Sequence, residues 1–221
     1  MDIIKYDIYN GPNIGIYTRV NDEFVFIPNG FADTKSEKLS EYLQVSPLEI
    51  SVANARVLGI MMAVNNHGIL LPSTCSEGEF EHIKKITGLN VEILDVKNNA
   101  LGNMMSINDK GGIVSPLIPK GDLQKIEDVL DIEVMQLKIA GFQQVGAVVS
   151  TSTKGTVVHP ETDDEDMKTI SNLLGGNIEA ATINGGIPFV SSGILANNKA
   201  VVVGTLTNGP EIMMLTRAFS D

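Results

Sequence analysis

Short apolar runs along this chain alternate with polar turns and with stretches whose apolar residues recur every three or four positions. Residues 59–64 read as a strand, Asn65-Asn66-His67-Gly68 as a turn suited to positive φ, and Ile69-Leu70-Leu71 as the returning strand. Pro72 has no N–H to donate and ends that ladder. Phe80, Ile83 and Ile86 then fall at helical spacing, as do Leu123, Ile126 and Leu130, and Met167, Ile170 and Leu174. Thr74 three residues before Glu77, and Thr162 three before Glu165, read as capping boxes that open two of these helices. An apolar-Glu-apolar triplet follows as a closing strand: Leu48-Glu49-Ile50, Val91-Glu92-Ile93, Ile132-Glu133-Val134 and Ile178-Glu179-Ala180.

This order of strand, strand, helix, strand repeats in phase. Pro28, Pro72, Pro116 and Pro160 stand at a constant interval of 44 residues, and one further step lands on Gly204. Gly15, Gly59, Gly102, Gly146 and Ser191 precede these markers, and Asn21, Asn65, Asn108, Ser152 and Asn197 follow six positions after each small residue. Repetition on this scale signals an array built from five units. The fifth unit lacks a closing strand, since the helix at about 208–219 is followed by Ser220 and Asp221 alone. Ile4-Lys5-Tyr6 stands ahead of Gly15 as Leu48-Glu49-Ile50 stands ahead of Gly59. A strand at residues 2–9 is therefore expected to complete unit five and close a ring, which removes open sheet edges. The expected architecture is α+β: residues 1–221 as a single domain of five repeats of about 44 residues in a five-fold pseudosymmetric closed ring.

Composition narrows the partners. Sixteen basic against 27 acidic side chains give a net charge of −11, which opposes broad phosphate binding through released counterions. One cysteine, Cys75, excludes an intrachain disulfide. The absence of an eighteen-residue apolar run, and of a signal-peptide pattern at Met1-Asp2-Ile3-Ile4-Lys5, leads to the expectation of a cytoplasmic protein with no membrane partner. A closed ring also has little need of a second copy, so a monomer is expected.

Several stretches carry a family resemblance. Residues 57–72 resemble the second repeat of the translation initiation factor 6 family. Asn99-Ala100-Leu101-Gly102-Asn103 with Ile107-Asn108-Asp109 resembles the third, and residues 155–162 the fourth. The resemblance implies the pentein fold and a non-catalytic factor without cofactor. Such a factor binds the large ribosomal subunit, through a ribosomal protein on the intersubunit face and the neighbouring sarcin–ricin loop RNA, and excludes the small subunit sterically. It also implies an archaeal source, because eukaryotic members continue past the fifth helix.

Candidate contact residues come from the turns. Eight positions beyond each small marker stand Glu23, His67, Lys110, Lys154 and Lys199, a mildly basic rim set against acidic helices, or simply polar turns. Asn65, Asn66, Asn108 and Asp109 belong to the same turns, with Asn read first as a turn residue. Asn103, in an expected strand, is either a contact at the ribosome-binding surface or a buried amide. The rival reading is a guanidine-modifying pentein enzyme of the deiminase or amidinotransferase kind, whose cysteine nucleophile lies in the last repeat. The expected fifth repeat, about 191–219, holds neither Cys nor His, and Cys75 opens a helix in the second, where a helix start favours a lowered thiol pKa. The histidines have no ligand spacing, and no nucleotide-binding loop occurs, so neither metal nor cofactor is expected.

Overall fold

A computed structural model describes residues 1–220; Asp221, which the sequence reading places after the last helix, lies outside them. Strand β1 (Asp2–Lys5) comes first. Unit one then runs through helical turn α1 (Ile14–Tyr17), strands β2 (Arg19–Val20) and β3 (Phe24–Pro28), helix α2 (Asp33–Leu43) and strand β4 (Ser46–Ile50). Unit two repeats the order as α3 (Leu58–Met61), β5 (Ala63–Val64), β6 (Gly68–Pro72), α4 (Glu77–Thr87) and β7 (Asn90–Leu94). Unit three follows as α5 (Leu101–Met104), β8 (Met105–Ile107), β9 (Gly111–Val114), α6 (Leu123–Leu130) and β10 (Glu133–Gln136). Unit four comprises α7 (Val145–Val148), β11 (Val149–Thr151), β12 (Gly155–Val158), α8 (Asp164–Leu174) and β13 (Asn177–Ala180). Unit five has a 3-10 turn at Val190–Gly193, then β14 (Ile194–Ala196), β15 (Ala200–Val203) and α9 (Gly209–Ala218).

Each unit forms one three-stranded sheet with the second hairpin strand in the middle. That middle strand runs antiparallel to the first and parallel to the third, and the helix supplies the crossover that a parallel pair requires. Buried on both faces, the middle strands read as unbroken apolar runs; every residue of β6, β12 and β15 is buried. In the fifth sheet the third position is taken by β1, parallel to β15 with Asp2 opposite Ala200 and Lys5 opposite Val203. The mixed α and β composition and five small sheets in a closed circle make this a pentein-like fold.

The apolar cores lie between units. One cluster joins Phe26, Ile50 and Val52 of unit one to Leu58, Ile69 and Ile83 of unit two. Another joins Leu195 and Val202 of unit five to Ile14, Val25 and Leu39 of unit one. The remaining three span the other junctions, so an excised unit would lose half of each neighbouring core. The small markers pack backbone to backbone in the same circle. A Cβ on Gly59 would collide with the carbonyl of Gly15, one on Gly102 with that of Gly59, and one on Gly146 with that of Gly102.

Three expectations need correction. The run at 59–64 opens as the helical turn α3 and becomes strand only at Ala63, and Asn103 likewise sits on helical turn α5. Four residues of helix are too few for a periodic signal, and an apolar run of that length reads as strand. The capping frames also shift. Ser76, not Thr74, caps α4 in a reciprocal box with Glu79, and Asp163, not Thr162, caps α8 by accepting from Asp166 N–H. Finally, none of Asn65, Asn66, His67 and Gly68 has positive φ. Their turn is held by a side chain instead.

Candidate functional site

The channel through the ring has two mouths of different chemistry. At one mouth lie the hairpin turns, where the Asn markers are buried and form a relay. Asn65 Oδ1 accepts from the N–H groups of His67 and Gly68, both at 3.0 Å, which shapes the turn as an Asx turn does. Its Nδ2 donates to Asn108 O at 3.3 Å and Leu130 O at 2.8 Å, both in the next unit. Asn108 repeats this toward Ser152 O and Leu174 O, Asn197 toward Asn21 O and Leu43 O, and Asn21 toward Asn65 O. Each amide thus fixes its own turn and binds the following unit, and three of them also satisfy a helix-terminal carbonyl. At Ser152 the hydroxyl still accepts from Lys154 N–H, but serine has no amide to pass on.

A second layer sits on the first. Thr153, Asn198, Asp22, Asn66 and Asp109 are linked side chain to main chain in that order. Asn66 Nδ2 reaches both Asp22 Oδ2 at 2.7 Å and Asp109 Oδ2 at 2.6 Å. Beyond this layer the exposed tips carry Glu23, His67, Lys110, Lys154 and Lys199. Lys199 Nζ folds onto Asp22 O and Gln44 O, at 2.7 and 2.9 Å, and Lys110 Nζ leans on Thr153 O at 3.4 Å.

The opposite mouth is built from the helical turns. Ile16, Ile60, Asn103, Ile187 and Phe189 line a shallow depression of about 360 Å³ there. Ile187 and Phe189 are 41% and 42% exposed, high for large apolar side chains. The long helices start at this end, because each middle strand runs toward it, and Glu77, Asp164 and Glu165 are exposed in their first turns. Two carboxylates hold the rim in shape. Glu211 is buried and accepts from Thr182 Oγ1 and from the N–H groups of Gly185, Gly186 and Asn208. Glu79 plays the same part for Ser51, Ala53, Asn54 and Ser76. Burial pushes both carboxyls up, but the converging donors outweigh it, so both end below the usual range, Glu79 at about 2.

The sequence-derived candidates therefore divide. Asn65 and Asn108 are inside the framework; Asn66 and Asp109 are half-buried in the second layer; His67, Lys110, Lys154 and Lys199 are exposed on the same mouth. Asn103, half-buried, stands at the other end with the apolar depression. The apolar and aromatic residues of that mouth escaped the sequence reading, since single exposed Ile or Phe positions carry no pattern.

Cys75 has none of the features of a nucleophile. It is buried, and burial first, then the charge of Glu79, pushes its thiol up to about 11, the reverse of the lowering expected at a helix start. Of the histidines, His159 is buried against Phe142 and accepts from Glu161 N–H through Nδ1. Among the described residues no group of three His, Cys, Asp or Glu could hold a metal ion, and no helix is long and apolar enough to cross a membrane.

Comparison with known proteins agrees in its coverage. The profile described as the eIF-6 family matches residues 3–218. A protein of Cenarchaeum symbiosum named translation initiation factor 6 is 58% identical over 220 residues, covering all of both chains. Its namesake in Nitrosopumilus maritimus is 57% identical over 219 residues, with 99% of each chain covered. The factor of the same name in Pyrococcus horikoshii is 36% identical over 223 residues, with 99% of this chain and 98% of its own covered. Among solved structures, an agmatine deiminase from C. jejuni aligns with a TM-score of 0.44 at 17% identity, covering 71% of this chain and 59% of its own.

Proposed function

Because this chain belongs to the eIF-6 family, we propose that it is a translation initiation factor that binds the large ribosomal subunit and keeps the small subunit from docking by occupying its place. The proposal needs a rigid body and no covalent chemistry. The single observation that carries it is the preorganised apolar mouth: Ile187 and Phe189 follow the turn that Glu211 holds, and Ile60 follows the turn that Glu79 holds. Interface cores are enriched in aromatic residues and depleted in Lys, which favours this mouth over the basic rim. A stable contact buries about 800 Å² per partner, an area one end of a ring of this size can offer.

The acids exposed in the first turns around the apolar mouth suit a basic ribosomal protein as the main anchor, with RNA as a secondary contact. The factor acts as a monomer in the cytoplasm. Its test is sedimentation of the purified chain with large subunits, with and without small subunits. Co-migration with the large subunit and reduced joining are expected. Phe189→Asp should abolish both, whereas joint replacement of His67, Lys110, Lys154 and Lys199 by alanine should weaken them little. The reverse result would move the interface to the hairpin-turn mouth. A protein contacting 6–10 phosphates loses roughly 10³–10⁵ in affinity between 50 and 200 mM salt; a much shallower loss is expected here.

A further inference from the structure

Comparing the five units in phase isolates one residue. Two positions before the turn markers stand Arg19, Ala63, Ser106, Ser150 and Leu195, and all five line one cavity of about 50 Å³ inside the ring. Four of them are small or apolar; unit one alone places a long cation there. Arg19 Nη2 donates to Gly102 O of unit three at 3.0 Å. Its Nε is the one fully buried side-chain nitrogen or oxygen among the described residues that has no hydrogen-bond partner. Among those residues no carboxylate pairs with it. The acids of the wall, Asp22 and Asp109, belong to the hairpin-turn mouth and are engaged by Asn66 and Asn198.

We propose that the cavity binds a small inorganic anion at Arg19, a halide or a compact oxyanion such as phosphate, within reach of the guanidinium and of Ser150, the Ser106 hydroxyl being engaged by Val149 O. Water in the cavity would satisfy the Nε donor, but it would leave the buried positive charge without a counter-charge, which is the costly part of burying an ion. Burial draws the guanidinium down to about 10, so it remains a cation at neutral pH. The space suffices for a small anion, since about 10–15 Å³ of such cavity volume holds one water and a halide is only slightly larger. The lining of the helical-turn depression holds no charged residue, whereas Asp22 and Asp109 stand at the hairpin-turn mouth. Bound at Arg19, the anion links the stability of the closed ring to anion concentration.

Two measurements on the full chain test this. Crystals soaked in sodium bromide are expected to show an anomalous peak in the channel beside Arg19, which phosphate soaking displaces. Thermal melts in sodium chloride, bromide and phosphate, each against sodium gluconate at equal ionic strength, are expected to show saturable stabilisation by the small anions. At ten times the dissociation constant the folding equilibrium shifts about elevenfold. In Arg19→Met that response should vanish. A response to halides alone or to phosphate alone identifies the anion class and supports the site. The proposal is overturned if the cavity shows neither a bromide peak nor bound phosphate beside Arg19, or if Arg19→Met responds to the small anions as the unsubstituted chain does. Should Arg19→Met fail to fold, the diffraction result on the unsubstituted chain decides.

Discussion

The side-chain amide of Asn65 donates to the carbonyl of Leu130, 2.8 Å away and 65 residues along the chain, where the helix of the next unit ends. A turn residue of one unit thus completes the helix of another. Replacing Asn65 by alanine strips the Leu130 and Asn108 carbonyls and two turn N–H groups of their partner. Three of these four groups, the two carbonyls and the Gly68 N–H, are buried, and at the low end of 1–3 kcal/mol for each a loss of about 3 kcal/mol is expected from urea unfolding. Asn65→Ser should cost less, because Ser152 already performs the turn-forming half of the task in unit four.

The backbone circle of small residues makes a second measurement decisive. Gly59→Ala must push aside the Gly15 carbonyl, a main-chain atom that cannot rotate away, so a loss of at least about 3 kcal/mol is expected. Gly78→Ala, on exposed α4 with open space around it, should instead gain about 0.5–1 kcal/mol. Equal melting temperatures for the two variants would contradict the close approach.

Acid should loosen the rim of the apolar mouth. The Glu79 carboxyl lies near 2 in the folded chain against 4.5 when free, so its contribution is whole above pH 4.5 and drains away as pH falls toward 2. Glu211 is shifted the same way. Urea midpoints recorded from pH 6 to pH 2 should fall less steeply for Glu79→Gln than for the unsubstituted chain.

The Cys75 thiol, pushed up to about 11, should react slowly with iodoacetamide at pH 8 in the native chain and at the ordinary rate in urea. Fast native alkylation, or turnover of arginine or related guanidines lost in Cys75→Ala, would reopen the enzyme reading.

The ring was legible because a 44-residue phase fixes which residues are equivalent, and equivalence alone implies repeated sheets. What the phase does not carry is direction. Sequence places Asn65 in its turn through its tolerance of positive φ, whereas the amide works by accepting two N–H groups and donating across a junction. The recurrent Asn or Ser with Gly three positions on, at 65 and 68, 108 and 111, and 152 and 155, was the available signal. The capping frames slipped because Thr74 and Ser76 each precede a glutamate by three, and sequence cannot say which oxygen is in range. Arg19 stayed hidden because an arginine in a short strand ordinarily faces solvent; only its comparison with Ala63, Ser106, Ser150 and Leu195 marks it as odd.

The pairing of β1 with β15 has a temporal consequence. During synthesis β1 must wait, unpartnered, until β15 has left the ribosome, since Asp2 rests against Ala200. Contacts so far apart in sequence slow folding and leave a sticky edge in the interval. A nascent chain halted before residue 200 should therefore accumulate as an open, aggregation-prone arc, and release of the last helix should be the event that turns it into a finished circle.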